Sequence, residues 1–139
     1  MLFKTKAQTL QSLKGILETA KIVELYFINL NQWIKNKSIC LSEIKNKFGN
    51  NLLIVRSSCT AEDNLENSNA GKFLSILDVK TENLEEAIEK VFSSYPIRNL
   101  NDEVLIQPML KNVLMSGVVF SHDPTNVSQY SIFNWHEGE

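Results

Sequence analysis

Ala7, Leu10, Leu13, Leu17 and Ala20 recur at three- and four-residue spacing, and Ile16 widens the stripe. That period predicts a first amphipathic helix. Thr5 is a suitable N-cap for it, and Gln8 stands three residues later, as a capping box requires. Gly15 weakens such a helix by roughly 1 kcal/mol against alanine, and the helix is expected to continue through it. Residues Ile22 to Ile28, IVELYFI, then read as a strand, rich in β-branched and aromatic side chains. Asn29, Asn31 and Ser38 punctuate the next stretch. A short helix is expected around Trp33 and another over Leu41 to Phe48, closed by Gly49 at a C-cap position.

The unbroken apolar run that opens at Leu52 predicts a strand to Arg56, buried on both faces. From Ser57 to Gly71 the chain is polar and aperiodic, which marks a long loop of the kind that is usually functional or disordered. Phe73 to Val79 reads as a strand. Leu84, Ala87, Ile88, Val91 and Phe92 give a clear helical stripe, with acids in the first turn where the helix dipole favours them. Val104 to Gln107, Val118 to Phe120 and Tyr130 to Trp135 read as further strands. Helices and strands in this order predict an α+β (mixed α/β) domain spanning residues 1–139. Because an apolar strand is followed only by His136 to Glu139, the fold is expected to be incomplete at its C-terminus.

Composition narrows the function classes. A length of 139 residues, with 43% hydrophobic and 22% charged residues, fits one soluble domain. The net charge of −2 carries no block of either sign, so neither a nucleic-acid surface nor an anionic membrane is implied as partner. Lys35, Lys37, Lys45 and Lys47 read as solvated helix faces. Cys40 and Cys59 form no disulfide framework, and His122 and His136 are isolated, so no metal site is expected. Without an apolar leader or a long apolar span, the expected compartment is cytoplasmic.

The candidate chemistry lies where the first buried strand ends, at IVRSSCTAED. A guanidinium delivered there suits an anion, because it forks onto phosphate oxygens and stays charged. Small hydroxyl residues beside it let backbone N–H groups approach the same oxygens. Equally, Arg56 could pair with Glu62 or Asp63 and staple the loop. Gln107 ends an apolar strand with an amide able to donate and accept, which suits a base or a ribose. Trp33, Phe73, Phe92, Phe120, Phe133 and Trp135 are expected to be core. Gly117 within a strand pattern suggests a bulge or a close approach.

VRSSCTAED followed by SNAGKF resembles the N-terminal ATP-binding domain of the phosphoenolpyruvate synthase and pyruvate phosphate dikinase family. That family shows VRSSA, an ED pair, and a serine before AG. VLIQPML resembles its V-x-VQ-x-M strand, SGVVFSHDP its SGV-x-FT-x-DP, and KTKAQTL stands where the family has GGKGANL. Within the family, TKAQTL and VLIQPML look most like the branch that includes L-glutamine kinases of capsule phosphoramidate synthesis.

The resemblance implies the first part of an ATP-grasp fold and an ATP-dependent kinase or dikinase. Lys6 and Arg56 would contact phosphates, Gly71 and Ser75 would border the triphosphate, and Gln107 would touch the adenosine at a hinge. It implies no catalytic or metal residue within this chain. Magnesium ligands, a phosphohistidine domain and the small acceptor's site, of pyruvate or L-glutamine type, would lie elsewhere in the protein. Lys4 and Thr5 replace the family's two glycines and Ala7 replaces the third, so Lys4 competes with Lys6 for the phosphate role. The expected function is phosphoryl transfer from ATP by a longer protein, of which this chain alone is inactive. The rival is a non-catalytic module that acts by binding a partner.

Overall fold

The computed structural model describes residues 4–59, 63–64, 67–68, 73–123 and 125–138. They form α1 (Lys6–Leu13), β1 (Tyr26–Asn29), α2 (Leu30–Phe48), β2 (Leu53–Ser58), β3 (Asp63–Asn64), β4 (Asn67–Ser68) and β5 (Ser75–Val79). A 3-10 turn (Thr81–Asn83), α3 (Leu84–Ser93), β6 (Glu103–Pro108), β7 (Met115–Phe120) and β8 (Ile132–Glu137) follow. The chain divides into two compact units, residues 1–109 and 110–139.

The first unit is built on a four-stranded sheet in the order β1-β6-β2-β5. Every pairing in it is antiparallel. Successive side chains alternate between faces, and one face carries Ile28, Leu53, Val55, Val104 and Ile106 into the main core. α2 covers that face through Trp33, Ile44 and Phe48, and α3 through Leu84, Ile88 and Val91. Fully burying one such side chain stabilises by about 1.5–3 kcal/mol. Leu105 points the other way and packs with Ala7 and Leu25 in a smaller cluster. The mixed α+β class expected from the pattern is the class found.

Three expectations are corrected. The first helix does not run through Gly15. It ends at Leu13, Lys14 is its C-cap, and Gly15 follows with φ +85°. A glycine just past the cap supplies the left-handed turn that closes a helix, and Ile16 and Leu17 beyond it are exposed. Second, both helices expected between Asn29 and Gly49 are present, but the later one starts ahead of Leu41 and joins the first across a kink within α2. Asn29 and Gln32 form a reciprocal capping box at its start, and Asn36 interrupts the helical backbone with φ −135°. Gly49 caps it as expected.

Third, Phe133 and Trp135 are 67% and 60% exposed, and Phe120 is also exposed, whereas Trp33 and Phe92 are core. The exposed aromatics belong to the second unit, where β7 and β8 form a two-stranded antiparallel hairpin. Gly117 there confirms the close approach. A Cβ on it would lie 2.3 Å from the Asn134 carbonyl oxygen and 2.9 Å from Trp135 Cα. Within the long polar loop, β3 pairs with β4. Glu62 and Gly71 lie outside the described residues.

Candidate functional site

The register of the central strands decides which side chains share a face. Arg56 on β2 stands opposite Leu105 on β6 and Ser75 on β5. Two pairs along, Ile54 stands opposite Gln107, and two pairs the other way Ser58 stands opposite Glu103. Directly opposed residues of an antiparallel pair lie on the same side of the sheet. Arg56, Ser75 and Gln107 therefore gather on the face that also bears Leu105, away from the main core. The segments involved are far apart in sequence, and only the β2–β6 and β2–β5 pairings unite them.

Gln107 is 8% exposed, and among the described residues its amide makes no side-chain hydrogen bond. An unsatisfied buried amide costs about 1–3 kcal/mol. Arg56 is half-buried, and it makes no ion pair among the described residues. Ser75 is exposed at the start of β5.

α1 packs on this same face through Ala7, which is fully buried against Leu105. Its first turn is held by polar contacts as well. Gln8 N–H donates to Thr5 Oγ1 at 3.2 Å, and Ala7 N–H donates to Ser58 Oγ at 2.8 Å. Thr9 N–H reaches the Thr5 carbonyl at 2.9 Å. These three N–H donors are thus taken up within the protein. Lys6, half-buried, is the first residue of α1, whereas Lys4 is exposed ahead of the cap.

Gln8 completes only half of the expected capping box. Its side chain turns to Glu103 Oε1 at 2.6 Å, while Thr5 Oγ1 donates to Glu103 Oε2. Glu103 is 5% exposed and was missed in the sequence. Its signal was the acidic pair Asp102-Glu103 directly ahead of the apolar Val104-Leu105-Ile106, a mirror of Arg56 directly after the apolar Leu52 to Val55.

Among the described residues no group of three or more His, Cys, Asp or Glu side chains converges, so they supply no set of ligands for a cation. His136 meets Ser116 Oγ at 3.0 Å in the hairpin, and His122 meets Ser121 Oγ at 3.1 Å. Groups with displaced pKa values lie elsewhere. Burial, followed by the Glu43 carboxylate, raises the Tyr26 hydroxyl, while Glu89 and Glu85 raise the Lys37 ammonium. A groove of 620 Å³ beside α2 and α3, bordered by Trp33, Lys37, Phe92 and Arg98, is lined by none of Lys6, Arg56, Ser75 and Gln107. Among the described residues no helix is long and apolar enough to cross a membrane.

No curated protein matches the chain. The family described as pyruvate phosphate dikinase, AMP/ATP-binding domain, matches residues 31–136. That span begins after α1 and Lys6 and takes in Arg56, Gly71, Ser75 and Gln107. Matched over well more than half of its length, the chain belongs to the family of the AMP/ATP-binding domain of pyruvate phosphate dikinase.

Proposed function

We propose that the sheet face bearing Arg56, Ser75 and Gln107 is where this domain binds ATP, with Lys6 reaching it from the start of α1. Arg56 and Lys6 hold the phosphates, Ser75 and Gly71 border the triphosphate, and Gln107 receives the adenosine. The observation that carries this reading is Gln107 itself, a nearly buried amide without a side-chain partner among the described residues, on the face that Arg56 shares. A nucleoside offers such an amide both a donor and an acceptor.

The family is one of ATP-binding domains in dikinase-type enzymes. On that footing we read the whole protein as a cytoplasmic phosphotransferase. It would carry a phosphoryl group from ATP, by way of a phosphohistidine domain, to a small acceptor of pyruvate or L-glutamine type. Resemblance to the L-glutamine kinases of capsule phosphoramidate synthesis favours the latter. Magnesium would accompany ATP on residues outside this chain.

Arg56→Lys tests the site. Lysine keeps the charge and loses the bidentate fork. A hydrogen bond to a charged group contributes about 1.5–3 kcal/mol, so ATP affinity measured by calorimetry should fall about ten- to a hundredfold. The melting temperature should barely move. Lowered melting with unchanged ATP affinity would make Arg56 a loop staple to Glu62 or Asp63 instead.

A further inference from the structure

Glu103 opens β6, a central strand of the sheet, and its carboxylate is almost wholly buried. A buried charge persists only where hydrogen bonds offset its lost hydration. Both oxygens have them, from Thr5 Oγ1 and from Gln8 Nε2. The main chain joins the same network. Tyr95 OH donates to the Glu103 carbonyl at 2.5 Å, and Ser58 N–H donates to Tyr95 OH at 3.1 Å. Ser58 Oγ in turn accepts the Ala7 N–H. Residues 5, 7 and 8 are thereby fixed to β6 and β2, on either side of Lys6.

α1 has eight residues, with an apolar anchorage centred on Ala7. A helix this short is marginal by itself in water, so its place depends on what it is fastened to. A carboxylate beside its N-terminus also meets the positive end of the helix dipole.

We propose that Glu103 is the positioning residue of this domain, fastening the first turn of α1 so that Lys6 faces the nucleotide. The inference rests on the ATP-binding reading of the Arg56–Gln107 face. In that role the buried carboxylate acts on ATP only through α1, and the glycine-free sequence KTKAQTL can do without a flexible loop because its backbone is tied down.

A double-mutant cycle tests this on the 139-residue protein, with ATP affinity measured by calorimetry for wild type, Glu103→Ala, Lys6→Ala and the double variant. Residues acting through one another are non-additive. Glu103→Ala should weaken ATP binding about tenfold when Lys6 is present and less than about twofold in the Lys6→Ala background. Glu103→Gln keeps the shape and one acceptor, so it should show an intermediate loss, and it carries the cycle if the alanine variant does not fold. Amide exchange gives a reading without ATP: Ala7, Gln8 and Thr9 should exchange faster in the Glu103 variants while β2 and β6 keep their protection. Equal losses of affinity in both backgrounds, or unchanged exchange in α1, would overturn the proposal. Failure of wild type to bind ATP, or an Arg56→Ala variant that binds normally, would overturn the ATP reading instead, and the exchange data would still decide the anchoring.

Discussion

At the scale of single residues, the polar groups at the strand ends are the informative ones. Arg56 and Gln107 were legible in the sequence because each ends an apolar run that has no need of it. Glu103 was not, because an acidic residue ahead of a strand reads equally well as a solvated turn, and its partners Thr5 and Gln8 lie almost a hundred residues earlier. Gln107 also gives a prediction with two opposite signs. Replacing it by leucine keeps the bulk and removes an amide that lacks a side-chain partner among the described residues. Without nucleotide, Gln107→Leu should therefore leave stability unchanged or raise it by up to about 1–3 kcal/mol in urea unfolding. ATP affinity should meanwhile fall about tenfold, the size of one lost hydrogen bond of roughly 1.4 kcal/mol. Lower stability together with intact ATP binding would instead make the amide a structural member of the sheet.

At the scale of elements, periodicity succeeded where burial is one-sided. α3 was legible because its stripe is regular, and all five of its predicted core residues are buried. β2 was legible from its apolar run, though it continues past Arg56 to Ser58. α1 was misjudged because apolar spacing continues beyond Gly15, while the backbone there turns left-handed and the stripe has nothing to pack on. The hairpin aromatics were misjudged because an apolar strand pattern says nothing about what covers it. Gly117 tests how tightly that hairpin is drawn. It pairs directly with Trp135, and the 2.3 Å approach leaves no room for a methyl group. Because the obstruction is backbone, the strands must separate, and Gly117→Ala should speed amide exchange across the β7–β8 ladder at least about tenfold, the equivalent of 1.4 kcal/mol of local opening. Unchanged exchange there would mean that the hairpin absorbs the methyl by a register shift or a bulge.

At the scale of the whole molecule, fold class and family were legible while the meeting of the site residues was not. Separate motifs identify a family one by one, but placing Arg56, Ser75 and Gln107 on one face needs the antiparallel register of three strands, and a slip of one residue would send each to the opposite side. The division into two units has its own consequence. Every buried member of both hydrophobic clusters lies between residues 7 and 106. Among the described residues the hairpin unit of 110–139 contributes none, and Met115, Val119, Phe133 and Trp135 on it are all more than half exposed. A two-stranded hairpin is at best marginally stable alone in water, so the cohesion of the chain resides in the first unit. A protein cut after Met109 should accordingly unfold in one cooperative transition, with a midpoint within about 4–8 °C of the full chain, the shift that roughly 1 kcal/mol produces at this size. It should also self-associate less, because the apolar strand faces have gone. Thermal unfolding followed by circular dichroism, with light scattering on the same samples, measures both. A truncated protein with no cooperative transition would show that residues beyond 109 hold the first unit together.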